Sequence, residues 1–224
     1  MAGTPVQVLS STRTQEFVGN KVLRNTYLLL SATLAFSAVV AVIAMALNLA
    51  IPNPLITLVV YFGLLFATNK LQNSAWGILS VFALTGFLGY TLGPIISAYL
   101  RFLPNGPEVV ATALGTTAVV FLGLSAYAIK SGRDFSFLGG FLTVGILGAF
   151  VLGLIAMFFH LEALSLVVSG MFVLAMSAFI LYETSGILRG EQTNYIVATV
   201  SLYVSIYNLF LSLLRLLGAA SNNR

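Results

Sequence analysis

Apolar residues in this chain do not alternate with polar ones; they run on. Seven apolar runs, at roughly 27–47, 51–68, 75–100, 109–129, 135–159, 163–188 and 195–217, are separated by short polar gaps. A helix needs about 20 apolar residues, within a range of about 17 to 25, to cross the hydrocarbon core of a bilayer. Strands of a membrane barrel would instead alternate over about 10 residues. Lipid offers the backbone no hydrogen-bond partners, so continuous runs of this length predict helices. The second run is the shortest and opens with "IPNP", which predicts a helix with one end in the interface. The expected fold is an all-α integral membrane protein, a seven-transmembrane-helix bundle over residues 21–224. Residues 1–20 show no strong period and read as a mobile cytoplasmic N-terminal tail. The "AMA" at 44–46 imitates a signal-peptide cleavage site, but the 26 residues before run one are too long and too weakly basic for an n-region.

Composition supports a lipid solvent. Only 7% of residues are charged, against about a quarter in soluble domains, so no water-facing surface can be built. The absence of Cys excludes disulfides, thiolate metal sites and cysteine nucleophiles. The net charge of +4 is too small and scattered for nucleic acid, but its placement is informative. Arg13, Lys21, Arg24, Lys70, Lys130, Arg133 and Arg189 fall on one side of an alternating seven-span topology, and Arg101, Arg215 and Arg224 on the other. The positive-inside rule then puts the N-terminus in the cytoplasm and the C-terminus outside, the alternative being a re-entrant last segment with the C-terminus inside.

Polar residues inside the spans carry the chemistry. Asn194, Ala198, Ser201, Ser205, Asn208, Ser212 and Arg215 recur at intervals of three and four, a single helical stripe on span seven. Such a stripe is costly against lipid and lets backbones approach closely, so span seven is expected inside the bundle, packed tightly or lining a hydrated centre. Glu183 lies five residues before the end of span six, about 7.5 Å in from that helix end. An intramembrane acid is a functional candidate, here for sensing protons or cations. Counting back from the turn at 189–194 puts Glu183 near the depth of Ser201; the bland alternative has it snorkel toward Arg189. Asp134 is placed to cap span five, and Gly190 to terminate span six. The glycines of spans three (Gly86, Gly89, Gly93) and five (Gly139, Gly140, Gly145, Gly148, Gly153) mark packing surfaces.

Enzyme signatures are lacking, and neither a cofactor nor a metal site is expected. "GLSA" at 123–126 faintly resembles a rhomboid serine box, but Ser125 and the lone histidine, His160, belong to opposite membrane faces. A Ser–His pair needs hydrogen-bond contact, and no phosphate loop is present.

"KVLRNTYLLLSATLAFSAVVA", "ALTGFLGYTLGPI", "RDFSFLGG", "ILYETS" and "GEQTNYIVATVSLYVSIYNLF" together resemble the bacterial YccA branch of the Bax inhibitor-1 family, over about residues 21–217. The resemblance implies a bundle with the last helix central. It also implies a partner, the membrane AAA protease FtsH, for which such proteins act as substrate and modulator in membrane-protein quality control. Some members of the family are pH-sensitive calcium leak pathways gated by two carboxylates. Glu183 matches the first, but Ser205 stands where the second would be, so a coupled titration is lost. Two functions follow as expectations: a protease modulator gripped by its N-terminal tail, or a calcium or proton leak with Glu183 as sensor.

Overall fold

A computed structural model describes the backbone of residues 5–222 and the side-chain surroundings of residues 19–221. Seven helices follow in order: α1 (Pro5–Ala46), α2 (Pro54–Leu71), α3 (Trp76–Phe102), α4 (Gly106–Ser131), α5 (Leu138–Phe158), α6 (Glu162–Leu188) and α7 (Tyr195–Asn222), with no strand among the described residues. Each contains a stretch long and apolar enough to cross a membrane. The short second run is no exception, since α2 has 18 residues. The expected tail falls partly outside the described residues. From Pro5 onward its backbone is helical and runs unbroken into the first span.

Local chemistry sets the helix ends. Asn53 accepts a hydrogen bond from the Leu55 amide at 2.9 Å, and Pro54 occupies the first turn of α2, where its missing N–H costs nothing. Gly132 (φ 58°) and Gly190 (φ 73°) end α4 and α6 in the left-handed region, which glycine enters without steric penalty.

Hydrogen bonds between distant loops show that successive helices alternate in direction. The side-chain amide of Asn194 donates to Gln72 O at 3.2 Å and Asn73 Oδ1 at 3.0 Å, joining the α2–α3 and α6–α7 turns. Its own Oδ1 accepts from Ile196 N at 2.9 Å, capping α7. At the opposite end Arg101 donates to Asn48, and Ser221 lies 2.5 Å from Asn105. Lys21, Arg24, Lys70, Lys130, Arg133 and Arg189 therefore gather at one end of the bundle, and Arg101 and Arg215 toward the other.

Close backbone approach organises the packing. A Cβ on Gly93 would meet Ala41 O at 2.5 Å and the Ala44 Cβ at 2.7 Å; one on Gly86 would lie 2.8 Å from Phe36. Gly89 rests in the same way on Ser37. The glycine face of α3 is thus seated on α1. α7 packs against α1, α3, α4 and α6, whereas α2 leans on α3 and α5 on α6. Half of the apolar stretch is buried in α3 and in α7, against 6% in α2.

Span five departs from expectation. Gly139 touches Tyr182 and Gly153 touches Val168, but Gly140, Gly145 and Gly148 face open space. Small residues permit close approach; they do not supply the helix that approaches.

Three substitutions test this architecture. Gly93→Leu should cost about 1–3 kcal/mol through overpacking against α1, while Gly123→Leu, at a position with nothing within 4 Å, should stay within about 0.5 kcal/mol. Equal melting temperatures in detergent would contradict the α1–α3 contact. Asn194→Ala should cost about 1 kcal/mol through loss of its cap, and more if the α2–α3 tether contributes.

Candidate functional site

The site grows from the end of α6. Gly190 reverses the chain there, and the amides of Glu191 and Gln192 return to Gly186 O at 2.9 and 3.2 Å. This tight reversal brings Gln192 back over the last turns of α6. Glu183, only 7% exposed, faces the side chains of Gln192 and of Ser201 on α7. Its Oε1 has no hydrogen-bond partner. A buried polar atom without a partner costs on the order of 1–3 kcal/mol, more for a charged group, so this carboxyl is held at the expense of stability.

Arg189 does not serve as the partner of Glu183. It pairs with Asp134 of the α4–α5 connection and with Glu191, 3.0 Å away. Asp134 in turn does not cap α5, whose first residue is Leu138 and whose cap position, Phe137, makes no side-chain bond. Its Oδ1 accepts from Ser136 N at 2.7 Å, a local turn that ends before the helix starts. The loop is held to α6 by Ser185, which donates to Arg133 O at 2.9 Å.

Each member of the span-seven stripe has a defined place. Asn194 is the cap already described, outside the helix. Ser201 faces Glu183 and also lines a cavity of about 340 Å³ between α2 and α7, walled by Phe62, Leu65, Phe66, Thr68 and Val197. Ser205 is buried and donates to Ser201 O at 2.8 Å; Asn208 donates to Val204 O at 2.8 Å. Ser212 is buried and Arg215 exposed. The bonds of Ser205 and Asn208 satisfy their donors on their own helix, as hydroxyls and amides in membrane helices often do.

Two tyrosines, missed in the polar pattern because they read as apolar bulk, fill the interior on either side of Ser205 along α7. Tyr203 Oη joins Ser37 and donates to Thr85 O at 3.3 Å; Tyr207 Oη lies 2.8 Å from Thr91 Oγ1. Their rings stack at 6.5 Å. Gln192 was likewise missed, although Gly190 two positions earlier signals the reversal that delivers it. Ser125 is buried at the basic end of the bundle and His160 sits in the α5–α6 turn at the other, so they do not meet. Among the described residues no three His, Asp or Glu side chains gather as a metal site would need.

Known proteins resemble this chain along nearly its whole length. An Escherichia coli K12 protein named Modulator of FtsH protease YccA is 51% identical over 215 residues, 96% of this chain and 97% of its own. The equivalent protein of E. coli O6:H1, named Inner membrane protein YccA, matches to the same extent, with 51% identity. A Pseudomonas aeruginosa protein is 53% identical over 202 residues, 90% of each chain. The family model described as Inhibitor of apoptosis-promoting Bax1 matches residues 19–223, a range that takes in all or part of every helix. The chain belongs to the Bax inhibitor-1 family.

Proposed function

We propose that this protein is a non-enzymatic component of the bacterial inner membrane that binds and modulates an FtsH-type AAA protease, as both substrate and inhibitor, in membrane-protein quality control. One observation carries the reading: 51% identity, across almost the full length of both chains, to a protein named as a modulator of that protease. The physical picture fits. A processive protease pulls on a chain end, and residues before Gly19 precede the membrane bundle at its basic end. The positive-inside rule favours the cytoplasm for that end, with the C-terminus in the periplasm. Close contacts such as Gly93 on Ala41 would then resist extraction and keep the enzyme occupied.

The segment to remove is 1–18, because Gly19 already packs on α6, where its Cβ would lie 2.7 Å from Leu188 O. Deletion of residues 1–18 should leave the bundle folded, lengthen the protein's half-life in cells that make the protease, and relieve its effect on other substrates. An unchanged half-life would rule out the N-terminal grip, and failure to co-purify with the protease from native membranes would rule out the partner.

A second reading, a proton or calcium leak, is favoured by the partnerless Oε1 of Glu183 alone. Purified protein in liposomes would then pass ions in a pH-dependent way, and Glu183→Gln would abolish the flux. Flux no greater than in empty liposomes would dismiss it.

A further inference from the structure

The connection between α4 and α5 carries an unbalanced charge. Among the described residues the only ion pairs are those of Arg189, and they engage Asp134, the one acid of the connection. Lys130 and Arg133 are exposed, and neither has a carboxylate partner among the described residues. Arg133 makes one side-chain contact, donating to Tyr127 Oη at 3.4 Å, while its backbone carbonyl is fixed by Ser185. Around the two cations runs a chain of aromatic rings, Tyr127 to Phe135 at 6.1 Å and Phe135 to Phe137 at 6.5 Å. Phe137 is 74% exposed. Cations beside exposed rings are the chemistry of the membrane–water boundary.

Directly beneath lies an apolar groove. A cavity of about 390 Å³ opens between α5 and α6, lined by Gly139, Leu142, Thr143, Ile146, Phe179 and Tyr182. Thr143 turns its hydroxyl back to Gly139 O at 2.9 Å, which leaves the wall without a free donor there. Gly139 keeps the mouth open, since a Cβ would come within 3.3 Å of the Tyr182 ring. Tyr182 stands three residues before Ser185 on α6, about 4.5 Å along the axis. The bond from Ser185 to Arg133 O therefore hangs the cationic loop over the mouth of the groove.

We propose that the α4–α5 loop and the α5–α6 groove form a binding site for an anionic phospholipid. Arg133 and Lys130 take the headgroup phosphate, Tyr182 meets the glycerol region, and one acyl chain lies along the groove from Gly139 toward Leu147. The groove selects a lipid over a free phosphate, because an ion alone would leave its apolar wall unfilled. The two exposed cations select a net negative headgroup, and a guanidinium matches phosphate geometry well. This site is separate from Glu183 and independent of the protease reading.

Native mass spectrometry of the intact protein, released from nanodiscs of phosphatidylglycerol mixed with phosphatidylcholine, tests the site. Wild type should retain phosphatidylglycerol at least about tenfold over phosphatidylcholine. The double variant Lys130→Ala/Arg133→Ala should lose about 30-fold in that retention, the expected effect of two surface cations near an anionic headgroup. Lys70→Ala, at the same end of the bundle but away from the groove, should behave as wild type. Gly139→Leu should reduce retention of both lipids by filling the groove; the charge variants decide the matter if it does not fold by size-exclusion profile. Equal retention of the two lipids by wild type, or wild-type retention by the double variant, overturns the proposal. Full retention by folded Gly139→Leu overturns the groove as the chain's seat.

Discussion

Helices in a membrane gain little by hiding apolar surface from one another, because lipid tails are as apolar as leucine. What holds this bundle is therefore close approach of backbones, and the seat of α3 on α1 is its clearest instance. Gly86, Gly89 and Gly93 present a surface without side chains, and Phe36, Ser37 and Ala41 fill it. From that pair the rest follows. α7 packs against both α1 and α3, and α4 and α6 complete its surroundings, so the two most enclosed spans share a common frame.

Within this frame polar groups are sorted by end and by helix. Near the middle, Tyr203 and Tyr207 bridge α7 to α1 and α3 through Ser37, Thr85 and Thr91, which tie the helices without exposing donors to lipid. At the basic end, Arg189, Asp134 and Glu191 pair with one another, leaving Glu183 to Gln192 and Ser201. The acid is set apart from the charges nearest to it in sequence. A single acid facing serine and glutamine differs in kind from two facing carboxylates, whose titrations would be coupled.

Much of this was legible in the sequence. Seven runs of the right length located seven helices, and Gly190 marked the end of α6, because span length and left-handed termini are local properties. The depth match of Glu183 with Ser201 followed from counting along two helices joined by a tight reversal. Asp134 was misread because N-capping depends on where the helix begins, and a local turn at 134–136 intervened. The open glycines of α5 were misread because a single chain's sequence records the permission to pack, not the neighbour. The two tyrosines were invisible for a related reason: their roles depend on contacts made across distant parts of the chain, whereas Gln192 was overlooked although Gly190 announces the reversal that delivers it.

The mechanical character of the molecule is implied by where its first span sits. α1 touches α3, α6 and α7, whereas α2 and α5 each hang on one main neighbour. Tension applied from the N-terminal side would load a strut tied to three neighbours at the outset, spreading force in shear across several seams at once. A weakly attached span at that position would peel away one contact at a time. The order of elements along the chain thus puts a firmly seated span, rather than a loosely held one, first in line.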